Sequence, residues 1–63
     1  MICKIVIRDS LNVYADRDMT QLVDVIPNTE LVDVNCFRLS MAELSDGRWA
    51  MSMFLEKIDT NAD

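Results

Sequence analysis

The stretch that decides the fold runs from residue 21 to residue 34 and reads QLVDVIPNTELVDV. It contains a five-residue pattern twice, first as Gln21–Val25 and then as Glu30–Val34. Within each copy valines alternate with an aspartate, and this period of two is typical of a half-buried strand. The two copies therefore predict two short neighbouring strands.

The four residues between the copies favour a tight turn. Pro27 presets the φ angle of the second turn position, and Asn28 tolerates the left-handed conformation at the third. A turn at this place predicts an antiparallel hairpin in which Val23 lies opposite Val32. The valines of both copies would then share one buried face.

The chain on the N-terminal side of this segment also alternates. Cys3–Arg8 places Cys3, Ile5 and Ile7 on one face, and Leu11–Tyr14 resumes the alternation after a polar break. Residues 15–19 are polar and irregular, so they predict a loop.

The C-terminal half is organised around Asp46-Gly47, the strongest short hairpin signal in the chain. It predicts a type I′ turn between strands within residues 36–44 and 48–55, with Trp49, Met51, Met53 and Leu55 on one face. Helical alternatives remain: Ser40 and Glu43 match a capping box for a turn near residues 40–45, and residues 48–58 carry a helical stripe. We assign residues 1–58 to a single domain and 59–63 to a polar tail.

The succession of these elements from Ile5 to Trp49 resembles the bacterial SH3 (SH3b) family. The family opens with a strand, and an LNVR-like tetrapeptide and a polar loop follow; residues 10–14 match the tetrapeptide and residues 15–19 match the loop. Two short strands about a turn come next, here residues 22–27 and 28–34, and a DGxW-like element follows at residues 46–49. Tyr14 stands where the family usually has arginine, Asn28 where a turn glycine is common, and the family's closing G-W-V strand is absent.

This resemblance implies a mainly β fold, a small SH3-like barrel of about five antiparallel strands. It also implies a module that binds rather than catalyses. SH3b domains often hold cell-wall hydrolases on peptidoglycan, but we expect no enzyme domain beside this one, so wall binding is the weakest of the functional hypotheses.

Composition excludes several classes of function. The 63 residues carry six Lys/Arg against eleven Asp/Glu, a net charge of −5, and no histidine. Nucleic-acid binding depends on cationic side chains, so we expect none. Histidine is the commonest general base and metal ligand, and neither Cys3 nor Cys36 has one to activate it. We therefore expect no enzymatic activity, no cofactor and no metal.

Apolar residues make up 51% of a chain too short to bury a large core. We expect the excess to form a protein interface, most simply in a homodimer, through Trp49, Met51, Met53, Phe37 and Tyr14 with Asp16 and Asp18 on the adjacent loop. No signal peptide and no membrane-spanning run is expected, and two reduced cysteines predict a cytoplasmic location.

The acidity supports one alternative of a different class. The chain would then be an inhibitor encoded by a phage or mobile element, and it would block a host nuclease, polymerase or defence complex. Mimicry of DNA is poorly supported, because the acids are dispersed among basic residues instead of forming a dense row.

Overall fold

The computed structural model describes residues 1–58, and its class is mainly β, as the sequence predicts. Seven short strands form one antiparallel sheet, where about five were expected. Their bounds are β1 Ile2–Ile5, β2 Leu11–Tyr14, β3 Leu22–Ile26, β4 Leu31–Arg38, β5 Met41–Leu44, β6 Trp49–Met51 and β7 Leu55–Lys57. Across the sheet they run in the order β3-β2-β6-β5-β4-β1-β7.

The longest strand, β4, connects the two halves of the sheet. Its first residues pair with β1, and its last residues pair with β5. The register shifts between Val34 and Cys36, which is the mark of a β-bulge. A bulge bends a strand and increases its twist, so β4 can serve both halves without a break.

The core lies on one face of the sheet and is built by the predicted alternation. Cys3 and Ile5 of β1 are buried, as are Leu11 and Val13 of β2. The remaining core residues come from the central strands and β7: Val32, Val34, Ala42, Leu44, Ala50 and Leu55. Met41 is also buried, but it lies opposite Met51 on the other face of the sheet. Full burial of one such valine or leucine contributes about 1.5–3 kcal/mol.

The predicted hairpin about Pro27-Asn28 is wrong. β3 pairs with β2, with Leu11 opposite Ile26, whereas β4 pairs with β1 and β5. A turn forms one residue later than predicted: the Glu30 N–H donates to the Pro27 carbonyl over 3.1 Å, so Pro27 and Asn28 occupy its first and second positions. Asn28 does not have a positive φ. However, the Asn28 amide also donates to the Ile7 carbonyl over 3.1 Å, which ties the turn to the segment after β1. The chain therefore crosses between the two halves of the sheet.

The hairpin about Asp46-Gly47 is confirmed, with Glu43 opposite Trp49. Its turn type differs from the prediction, because only Gly47 has a positive φ, of 89°. The Gly47 N–H donates to the Leu44 carbonyl over 3.0 Å. A three-residue loop that ends in a left-handed glycine is the common alternative to the two-residue type I′ turn.

Neither helical alternative is adopted in the described part of the chain. Residues 41–44 form β5, and residues 48–58 contain β6, a 3₁₀ turn at Ser52–Phe54 and β7. The Ser52 N–H donates to the Ser40 carbonyl over 3.0 Å and the Val6 N–H to the Phe54 carbonyl over 2.9 Å. These tertiary bonds outweigh the local helix propensity. The predicted tail, residues 59–63, lies outside the described residues.

Candidate interaction surface

A continuous row of side chains crosses five strands on the face opposite the core. Each member lies directly opposite the next in the strand register. In the order β4, β5, β6, β2 and β3, the row consists of Cys36, Glu43, Trp49, Tyr14 and Leu22. We call it the Trp49 row. Its first four members are half-buried and Leu22 is exposed, so the row presents a partly apolar surface to solvent.

Trp49 and Tyr14, which the sequence singled out, meet at the centre of this row. They are cross-strand partners in the pairing of β2 with β6. Directly opposed aromatic side chains on one face of a sheet pack against each other. At one end of the row, the Cys36 thiol donates to the Glu43 carboxylate over 3.4 Å.

The third predicted interface residue in this region, Met51, lines a groove beside the row. The groove has a volume of about 50 Å³ and is lined by Ile7, Ser10, Asn12, Tyr14, Met51 and Phe54. Two of the lining side chains approach each other, since the Asn12 amide nitrogen lies 3.5 Å from the Tyr14 hydroxyl. Small-molecule sites usually have volumes of about 300–1,000 Å³, so this groove is too small to be such a site by itself.

Two other predicted interface residues are placed elsewhere. Phe37 lies opposite Ala42, and Ala42 opposite Ala50. Because both alanines are fully buried, Phe37 belongs to the core face of the sheet, at its open end. Met53 lies in the 3₁₀ turn, 69% exposed. The alternation that was expected to align Met53 with Trp49 ends at Met51, where β6 ends.

Asp16 and Asp18 lie in the loop between β2 and β3, as predicted, but their environments differ. Asp16 organises the loop: its Oδ1 accepts the N–H groups of Thr20 and Gln21, each over 3.1 Å. A further bond from the Thr20 hydroxyl is the main cause that holds the pKa of Asp16 below its ordinary value. Asp18 is exposed.

Sequence reasoning missed how this loop covers Trp49. The guanidinium of Arg17 lies 5.8 Å from the centroid of the Trp49 ring, which is the geometry of a cation–π contact. It also missed Asn12, Ile7 and Phe54 in the groove. The alternation of β2 could have identified Asn12, because it puts Asn12 on the same face as Tyr14.

A network of charges borders this surface at β3. Arg48 donates to Asp24 over 2.9 Å and to Asp46 over 2.7 Å, and so joins the β5–β6 turn to β3. The hydrogen bond from Arg48 is the largest cause that lowers the pKa of Asp24, followed by the bond from the Val25 N–H. All three side chains remain partly exposed, so each pair contributes little to stability alone.

Comparison with known proteins finds no matching family model, curated protein or solved structure. Among residues 1–58, no three His, Cys, Asp or Glu side chains lie close enough together to hold a metal ion. The described residues also contain no helix with the length and apolar character needed to cross a bilayer.

Proposed function

We propose that this chain is a non-catalytic protein–protein interaction module that associates with a second copy of itself through the Trp49 row. The observation that carries the proposal is the cross-strand pair of Trp49 and Tyr14 on the face opposite the core. Tryptophan, tyrosine and methionine are enriched at the centres of protein interfaces. Met51, in the adjoining groove, completes such a set.

The composition of the surface supports the same proposal. Ten large apolar residues are at least 39% exposed, among them Leu22 of the Trp49 row and Met53 of the 3₁₀ turn. A domain of this length buries only about 60% of the surface that its unfolded chain exposes. Association would remove part of the remaining apolar surface from water.

We further propose a distant relation to the SH3b domains. Its support is the succession of elements: β2 contains the LNVY tetrapeptide, a polar loop and β3 follow, and the Asp46-Gly47 turn is joined by Arg48 to Trp49, where β6 begins. We also propose a cytoplasmic location, supported by the free thiols of Cys3 and Cys36.

The test of self-association is the molar mass in solution, measured by light scattering after size exclusion at low and high salt. We expect a dimer that persists at high salt, because an apolar interface is not screened. Trp49→Ala should give a monomer, whereas Leu31→Ala should remain a dimer. Leu31 is a suitable control because it is 60% exposed and lies on β4 outside the Trp49 row.

Two outcomes contradict this proposal. The first is a dimer whose mass and dilution behaviour are the same in Trp49→Ala and in the native chain. The second is a native chain that is monomeric at every concentration tested. Circular dichroism must accompany the measurement, since Trp49 is half-buried. If Trp49→Ala unfolds, Met51→Ser tests the same surface with a smaller change.

The alternative proposal is an inhibitor that binds another protein through acidic side chains. Its support is the net charge of −5, together with the finding that the described residues include no buried charged side chain. Binding to a basic target would weaken steeply as salt is added, whereas an apolar interface would not. A salt titration of any captured complex therefore distinguishes the two functions.

A further inference from the structure

The strand β3 lies at one end of the sheet, so one of its backbone edges pairs with no other strand among residues 1–58. Its side chains Leu22, Val23 and Val25 are 53%, 45% and 48% exposed. An apolar edge strand is a template for pairing with another chain, and soluble proteins usually block it. The structure contains such a block at Asp24.

The direction of the Val25 amide follows from the pairing of β2 with β3. The Ala15 N–H donates to the Gln21 carbonyl over 2.9 Å. Bonded and non-bonded pairs alternate along an antiparallel ladder. The backbone groups of Ala15, Val13 and Leu11 therefore face β3, and those of Asn12 face away from it. The pair of Asn12 with Val25 is thus a non-bonded one. The N–H and C=O of Val25 therefore point away from β2, towards the free edge.

The Asp24 carboxylate accepts a hydrogen bond from this outward-facing amide. Its Oδ1 accepts the Val25 N–H over 2.7 Å, and its Oδ2 accepts a guanidinium N–H of Arg48 over 2.9 Å. Arg48 is itself held by Asp46, whose Oδ2 accepts the Nε–H over 2.7 Å. The carboxylate is thus fixed between the edge of β3 and the β5–β6 turn. A docking strand would have to displace it in order to reach the Val25 N–H.

Asp24 also opposes pairing through its charge. It is the middle residue of β3. When two copies of β3 pair antiparallel about their centres, the Asp24 side chains of both copies come directly opposite each other. Like charges at opposed positions destabilise a strand pair.

We propose that the Asp24 carboxylate, held in place by Arg48, blocks strand pairing at the free edge of β3. When this carboxylate is removed, the β3 strand of a second copy pairs with the edge. The inference goes beyond the proposed function, because it concerns the strand edge and not the Trp49 row. The partner is a second copy because β3 is self-complementary about Asp24: antiparallel pairing centred on this residue places Val23 of one copy opposite Val25 of the other, and these side chains are 45% and 48% exposed. A substitution of Asp24 removes both obstacles together.

The experiment measures self-association by sedimentation velocity over a range of protein concentrations. Its variants are Asp24→Ala, Arg48→Ala and the control Asp18→Ala, all made in a Trp49→Ala background so that the Trp49 row does not contribute. Asp24→Ala and Asp18→Ala change the net charge equally, and Arg48→Ala makes the chain more acidic. We expect Asp24→Ala to associate at a concentration at least tenfold lower than the background chain. Arg48→Ala should shift in the same direction, and Asp18→Ala should not shift.

If net charge alone controlled self-association, Asp18→Ala and Asp24→Ala would associate equally and Arg48→Ala would associate least. Equal association of the two aspartate variants, or weaker association of Arg48→Ala than of the background chain, would overturn the proposal. A double variant, Asp24→Ala with Val25→Pro, also lacks the Val25 N–H to which the Asp24 carboxylate is bonded. Its self-association should return to the level of the Trp49→Ala background. Proline is tolerated where an edge N–H faces solvent. Should the Trp49→Ala background unfold, Met51→Ser replaces it as the background, and we expect the same ranking.

Discussion

The turn between β4 and β5 offers a stabilising substitution, Leu39→Gly. Arg38 and Met41 are paired, so the loop consists of Leu39 and Ser40 alone. Leu39 has a φ of 55°, and it is the only residue of this loop with a positive φ. A positive φ at the first of two loop residues alone is the pattern of a type II′ turn, which favours glycine at that position.

The magnitude follows from two opposing contributions. The left-handed conformation costs a residue with a Cβ about 1–2 kcal/mol. Glycine has more freedom in the unfolded chain, which offsets about 0.5–1 kcal/mol of the gain. The Leu39 side chain is 97% exposed, so its removal sacrifices almost no burial. The difference spans about 0–1.5 kcal/mol, so we expect a net stabilisation of about 0.75 kcal/mol, or a Tm higher by roughly 3–6 °C in a domain of this size.

Urea unfolding and thermal melting measure this change, each at several protein concentrations so that association is separated from folding. The matched control is Leu39→Ala, which removes the same exposed side chain but keeps the Cβ. Its stability should lie within about 0.5 kcal/mol of the native chain. If Leu39→Gly is no more stable than Leu39→Ala, the backbone at this turn is not strained and the reasoning fails.

Two further predictions concern a glycine and the carboxylates. Gly47→Ala should destabilise the domain by about 1 kcal/mol in urea unfolding: the φ of 89° disfavours a side chain, while an added Cβ would meet no atom within 4 Å. An unchanged midpoint would contradict this account of the turn. The pKa values of Asp16 and Asp24 are lowered by the hydrogen bonds from Thr20 and Arg48, so their contribution to stability is complete above the unfolded pKa of about 3.9 and is lost as the pH falls below it. Asp16→Asn should flatten the acid limb of a plot of unfolding free energy against pH, and an identical limb would contradict the assignment.

Much of the strand content follows from local alternation, because it depends on side chains that are close in sequence. The burial of Cys3 and Ile5 in β1 and of Leu11 and Val13 in β2 could be predicted in this way. The place of the β5–β6 hairpin was predictable too, since Gly47 adopts its left-handed conformation at little cost. These features need no knowledge of which strand pairs with which.

The pairing of strands was harder to predict, because it depends on contacts between distant segments. Pro27 and Asn28 favour a turn, and a turn forms there, but a turn does not determine that its flanking strands pair with each other. The hydrogen bond from Asn28 to the Ile7 carbonyl joins residues 21 apart in the sequence. No periodicity within residues 21–34 indicates that bond. The same reason explains why Phe37 was grouped with Trp49, although the register places it on the core face.

The two copies of the Leu-Val-Asp-Val pattern show that strand formation depends on local sequence, whereas burial depends on the place of the strand in the fold. Both copies form strands, yet Val32 and Val34 of β4 are 5% and 0% exposed, whereas Val23 and Val25 of β3 are 45% and 48% exposed. Val32 and Val34 lie on the core face of a strand that has neighbours on both sides, whereas the register of β3 places Val25 opposite Asn12 on the other face of the sheet and leaves it at the surface. The aspartate within the pattern therefore has a different role in each copy: on the edge strand its carboxylate can cover a free backbone amide. The position of a segment in the sheet, more than its composition, makes β3 the strand where self-association has to be controlled.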